Sequence, residues 1–173
     1  GQDSAGIVTS NNHKFFAHRG MGQVSEVFSN KEIIPKLIGR LSIGHNRYGT
    51  TGESALKNVQ PLFSELDFGG IAIAHNGNLT NTNQIKEKLI KNGAIFQSTS
   101  DTEVILHLIS TAKGTLIDRI VYALHSITGA FSLVMLTNDC LIGVRDPFGI
   151  RPLVLGKLGD SFILSSESCG LDI

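Results

Sequence analysis

Short apolar runs open and close the chain, while periods near 3.6 residues fill its middle. Ala5-Gly6-Ile7-Val8-Thr9 is β-rich and closes at Ser10-Asn11-Asn12. Lys14-Phe15-Phe16-Ala17-His18 predicts its hairpin partner, and Gly20-Met21-Gly22 a break in that sheet. Val24 to Phe28 and Lys31 to Ile38 have helical spacing, but Pro35 interrupts the second run, so short irregular helices are expected. Leu41 to His45 predicts a strand that delivers Arg47-Tyr48-Gly49-Thr50-Thr51-Gly52, a Gly/Thr-rich loop without an apolar period. Asn58 to Phe68 reads as extended. Gly69-Gly70 then leads into Ile71-Ala72-Ile73-Ala74, a buried strand expected to end in a turn at Asn76-Gly77.

Three helices are predicted next. The first is capped by Asn81 or Thr82, carries Ile85, Leu89 and Ile90, and ends at Asn92-Gly93. Ile95-Phe96 is a brief strand. The second helix starts at Ser100 or Asp101, with Glu103 completing a capping box if Ser100 is the cap, and buries Val104, Ile105, Leu108 and Ile109. The third, Leu116 to Ser126, sets Ile117, Ile120, Val121 and Leu124 on one face. Four apolar runs follow, Ala130 to Leu136, Leu141 to Val144, Pro152 to Leu155 and Phe162 to Leu164, as in an antiparallel meander. Helices between two sets of strands make this an α+β chain of two packed sheets covered by helices, with no repeat or linker to divide it.

Composition narrows the function. Fifteen basic residues balance fifteen acidic ones and the pI is about 7.2, which gives no electrostatic reason to expect nucleic acid or an anionic membrane. No run approaches the ~20 apolar residues of a membrane helix, and the first residues lack the order of a signal peptide. Two cysteines, Cys140 and Cys169, offer neither a disulfide framework nor a metal cluster and read as packing residues in a cytoplasmic setting. Six histidines without a paired spacing are not expected to bind metal; His45 and His75 read as scaffolding. The absence of an initiator Met and the stop after an apolar run are read as cuts through a longer protein, so residues 1–173 are expected to be one domain, incomplete at both ends.

The candidate chemistry centres on Asn76 and Gly77. A side-chain amide beside an accessible backbone N–H can hold a developing oxyanion. With a fixed Arg47 and a fixed Asp101, these groups would form a pocket for a zwitterionic amino acid whose far end carries a carbonyl. A guanidinium matches a carboxylate in bidentate fashion, and an acceptor-only carboxylate suits an ammonium. Arg145-Asp146-Pro147 and Arg151 read as a structural turn with an internal ion pair, or as a contact with a further domain.

Seven blocks occur in order along the whole chain. They are Gly1 to Ile7, Gly44-His45-Asn46-Arg47-Tyr48-Gly49-Thr50-Thr51-Gly52, Asn58-Val59-Gln60-Pro61, His75-Asn76-Gly77-Asn78-Leu79, Ser100-Asp101-Thr102-Glu103-Val104, Arg145 to Leu153 and Ser165 to Cys169. Together they resemble the glutaminase domain of the amidophosphoribosyltransferases, class II glutamine amidotransferases. The resemblance implies a four-layer αββα sandwich of the N-terminal-nucleophile hydrolase type. It also implies that a mature N-terminal Cys attacks the glutamine carboxamide, that Asn76 and Gly77 form the oxyanion hole, and that Arg47, supported by Tyr48 and Thr50, and Asp101 bind the amino-acid head. That Cys is absent from the sequence, so these residues alone are expected to be inactive.

The resemblance further implies that ammonia passes to a phosphoribosyltransferase domain, where it displaces pyrophosphate from phosphoribosyl pyrophosphate to give phosphoribosylamine for purine synthesis. Mg²⁺ belongs to that domain, and some members hold an iron–sulfur cluster whose ligands these residues do not assign; no cofactor is expected here. A homo-oligomer is implied as well. Glucosamine-fructose-6-phosphate aminotransferase and asparagine synthetase are the nearest alternatives, each matching only part of the set, and a non-catalytic glutamine-binding module is the alternative of another class.

Overall fold

The computed structural model describes residues 3–48 and 55–172. Strands β1 (Ser4–Asn11) and β2 (Lys14–Met21) form the expected hairpin, turning on Asn12 and His13. β2 continues through Gly20 to Met21 rather than breaking there, because every residue to the end remains paired with β1. β3 (Leu41–Arg47) joins the other edge of β1, giving the first sheet the antiparallel order β2-β1-β3. Between β2 and β3, α1 (Val24–Val27) and α2 (Ile33–Lys36) are the short helices expected, one turn each. They cross the outer face of this sheet. Val27 is buried at the position where a Cβ on Gly20 would touch it, and the Thr9 hydroxyl donates to the Ile38 carbonyl at 2.8 Å.

The second sheet is β4 (Leu62–Leu66), β5 (Gly69–Leu79), β6 (Gly129–Leu136) and β7 (Leu141–Arg145), antiparallel in that order. α3 (Thr82–Lys91), α4 (Asp101–Thr111) and α5 (Leu116–Ser126) connect β5 to β6. Alternation along the strands gives the sheet two apolar faces. On one, Ile71, Ile73, Leu133 and Met135 pack against Val104, Ile105 and Ile109 of α4 and Ile120 of α5 in the main core. On the other, Ala72, Ala74 and Leu136 meet Val8 and Ile43 of the first sheet. Two sheets face to face, with helices outside each, give the αββα order.

Several expectations are corrected. Asn76-Gly77 is no turn: β5 runs through it to Leu79, with Gly77 opposite Phe131. The turn tendency of Asn-Gly is overridden because eight consecutive residues of β5 pair with β6. Ile95-Phe96 forms no strand, and Ile95 is exposed. The meander divides after β7, and β8 (Val154–Leu158) with β9 (Ser161–Ser165) forms a separate two-stranded sheet. On α5 the buried residues are Ile120 and Ala123, whereas Ile117 and Val121 are exposed; on α3, Ile90 is exposed too. Ser100 caps α4, but Glu103 does not return to it. Its carboxylate accepts from the Gln97 and Ser98 N–H groups instead, fastening the loop before the helix.

Candidate active site

The apolar layer between the sheets becomes polar at one end. On β3, His45 and Arg47 share the inward face with Ile43, standing opposite Gly6 and Ser4 of β1. On β5, Asn76 and Asn78 continue the face of Ala72 and Ala74, and Asn76 stands opposite the buried Ser132 of β6. Ile43 packs in the same cluster as Ala72 and Ala74, so the two strands advance together toward this polar end. Burial, then the neighbouring His75 and Arg47, lowers the His45 pKa from 6.5 to about 4, which leaves the ring neutral at physiological pH and within electrostatic reach of both. Tyr48 follows at 69% exposure, and Thr50 lies outside the described residues.

Asp101 reaches the same place from the first turn of α4. One carboxylate oxygen accepts the Leu79 N–H at 3.1 Å, and the other lies 3.3 Å from Nδ1 of the buried His75. Burial alone would raise the Asp101 pKa, but the His75 hydrogen bond and charge, with the Leu79 and Thr102 N–H groups, outweigh it and lower the pKa overall. The carboxylate is therefore charged at neutral pH. Its side chain remains 23% exposed, so acceptor positions are left for an incoming cation.

The free edge of β5 joins these pieces. β4 pairs with β5 only as far as Leu62 opposite Ile73. Beyond that point the Gln60 side chain takes the place of a strand: Oε1 accepts the His75 N–H at 2.6 Å and Nε2 donates to the His75 carbonyl at 3.4 Å. Four residues further along the same edge, the Leu79 N–H is taken by Asp101. Strand alternation aims the Gly77 N–H to this edge, about 7 Å from each neighbour at ~3.4 Å per residue. Among the described residues it is the donor left between the two occupied ones. No side chain fits at position 77: φ is +156°, and a Cβ would lie 2.1 Å from the Ala130 carbonyl oxygen and 2.8 Å from His75 Nε2.

Of the residues singled out in the sequence, the structure thus brings Arg47 and Asn76 to one polar end and sets Asp101 and Gly77 on the adjoining edge. Two cavities of about 390 and 420 Å³ lie elsewhere, one at the β1–β2 and β6–β7 turns and one along β4 and α4. The sequence assigns Gln60 and Asn58 no role in the site and reads His75 only as scaffolding. Their signal was compositional: two amides spaced two apart before a proline, and an imidazole preceding Asn-Gly.

The remaining candidates resolve differently. The Arg145 guanidinium donates to the Arg151 and Gly149 carbonyls, and the Asp146 carboxylate accepts from the N–H groups of Phe148, Ile150 and Arg151. The turn is therefore closed by backbone partners on each charge rather than by the ion pair expected. Cys140 and Cys169 are exposed, not packing residues: Cys140 lies in the turn between β6 and β7, and Cys169 in a short 3-10 helix, Ser168–Leu171, after β9. Glu167, 3.4 Å from the Cys169 sulfur, raises that thiol's pKa and disfavours thiolate. Among the described residues no three His, Cys, Asp or Glu side chains cluster to hold a metal ion, and no helix is long and apolar enough to cross a membrane.

Residues 45–172, which include every described site residue from Arg47 to Asp101, match a family model described as "Glutamine amidotransferase domain". The chain belongs to the glutamine amidotransferase domain family. It is 50% identical to the amidophosphoribosyltransferase of Rhizobium etli over all of its own length and 35% of that protein's. Among solved structures it is similar to the glutamine phosphoribosylpyrophosphate amidotransferase of Bacillus subtilis complexed with ADP and GMP, with a TM-score of 0.93 and 43% identity over 99% of this chain and 37% of that one. It also resembles a structure described as the allosteric regulatory enzyme of purine biosynthesis, with a TM-score of 0.95 and 44% identity over the same shares. The chain spans about a third of the length of these relatives.

Proposed function

We propose that this chain is the glutamine-hydrolysing domain of an amidophosphoribosyltransferase. Arg47 pairs with the substrate α-carboxylate, Asp101 accepts its α-ammonium, and the carboxamide oxygen turns to the Gly77 N–H and the Asn76 amide. Tyr48 and Thr50 belong to the loop that closes over the ligand. A thiolate outside these 173 residues, the mature N-terminal Cys of the family resemblance, adds to the carboxamide carbon. The resulting oxyanion is held at Gly77 and Asn76, ammonia leaves, and water releases glutamate from the thioester. The ammonia then displaces pyrophosphate from phosphoribosyl pyrophosphate in a Mg²⁺-dependent phosphoribosyltransferase domain, in the cytoplasm.

The observation that carries this reading is the β5 edge, where the Gly77 donor stands between the Gln60 clamp and the Asp101 carboxylate. Similarity to amidophosphoribosyltransferases along the whole chain supports the choice of acceptor. The test is turnover by the full-length protein with glutamine and phosphoribosyl pyrophosphate. Equal release of glutamate and pyrophosphate is expected. Glutamine consumption driven by fructose 6-phosphate or aspartate instead would assign the chain to another amidotransferase, and no glutamine consumption would leave a binding module.

A further inference from the structure

The segment from Asn58 to Pro61 bonds residues next to two parts of the candidate site. Asn58, 1% exposed, donates from Nδ2 to the Thr99 hydroxyl at 2.8 Å and accepts the Thr99 N–H on Oδ1 at 2.9 Å. Thr99 lies two residues before Asp101. Gln60, 6% exposed, makes the matching two-ended contact with the backbone of His75, the residue before Asn76. The segment is in turn seated on the first sheet. The Arg19 guanidinium donates to the Val59 and Pro61 carbonyls at 3.2 and 3.1 Å, and Gly6 packs so closely that a Cβ there would meet the Gln60 carbonyl oxygen at 2.3 Å.

Counting on from Leu62 opposite Ile73, a continued β4 would place the Gln60 backbone opposite His75. Its side chain bonds that same residue, so the amide extends the ladder beyond Leu62, the last paired residue of β4. Asn58 extends the same reach to the loop before α4. Amides buried this deeply hold their partners firmly, since leaving a buried donor unpaired is costly.

We propose that Asn58 and Gln60 are positioning residues that set the separation between Asp101 and the Asn76–Gly77 donors. They match the site to an amino acid with an amide at one particular distance from its head. Asn58 fixes the ammonium end and Gln60 the oxyanion end. The inference rests on the functional reading above and deepens it.

The two ends give separable kinetics in the full-length protein. Asn58→Ala should raise KM for glutamine tenfold or more with kcat within about twofold. Gln60→Ala should lower kcat by ~10–100-fold with KM within about threefold, the scale of a displacement near 1 Å in a reacting group. Thr99→Val keeps shape at an exposed residue and removes only the acceptor for Asn58 Nδ2; it should raise KM at least threefold, and it decides the matter alone if the alanine variants do not fold. Glutamine hydrolysis by the wild type, and its loss in Asn76→Ala, report separately on the underlying function. If those behave as expected but the Asn58, Gln60 and Thr99 variants leave both constants unchanged, or lower kcat together at constant KM, the positioning role is wrong and the functional reading stands. If the wild type hydrolyses no glutamine, the functional reading itself fails.

Discussion

Position 77 is reserved for glycine by two demands that coincide. The backbone there has a φ of +156°, and the Ala130 carbonyl oxygen occupies the space of a Cβ. The same bare backbone leaves its N–H open to a ligand. In the proposed function its neighbour Asn76 is the second donor, from the inward face, so Asn76→Ala should lower glutamine kcat by ~10²–10³ in the full-length protein, the usual cost of one oxyanion donor. Steady-state assays check this, and unchanged turnover would remove Asn76 from the mechanism. Asp101 makes a different claim. Ser100, not Asp101, caps α4, and an Asn at position 101 can still accept the Leu79 N–H. Asp101→Asn should therefore preserve the melting temperature within a few degrees while weakening glutamine binding by roughly 10–150-fold, because a hydrogen bond to a charged group is worth about 1.5–3 kcal/mol. Calorimetric titration showing equal glutamine affinity would rule out the ammonium role.

Among the elements, α4 was the most legible. Apolar residues at helical spacing placed Val104, Ile105, Leu108 and Ile109 in the core, and all four are buried. The α5 stripe was half wrong: Ile120 faces the core, but Ile117 and Val121 stay exposed because that helix packs edge-on through Ile120 and Ala123 beside α4. The two helices yield opposite expectations. Ile105→Ala should cost about 2–5 kcal/mol in urea unfolding, as for a fully buried side chain, whereas Ile117→Ala should stay within about 0.5 kcal/mol. The Asn-Gly dipeptide misled for a physical reason, since turn propensity is local and the pairing of β5 with β6 is not. The Gln60 clamp was invisible for the same kind of reason. Nothing in a sequence says that a side chain will stand in for a strand.

At the scale of the whole molecule, the candidate site proposed above depends on two sheets and one helix ending near one another. The first sheet contributes His45 and Arg47, the second contributes Asn76 and Gly77, and α4 contributes Asp101. These three contributions are far apart in sequence, so their meeting could be expected only through the ordered blocks that resemble a known family, and then only as a set of identities. The geometry adds the β5 edge, where, among the described residues, successive outward N–H groups are held by an amide, left without a partner and held by a carboxylate. The most direct measurement is a crystal structure of the full-length protein with bound glutamate, the hydrolysis product. The account predicts its α-ammonium on Asp101, its α-carboxylate on Arg47 and its side-chain carboxylate against the Gly77 N–H and the Asn76 amide. Glutamate bound away from Asp101, or turned so that its side chain points from Gly77, would contradict it.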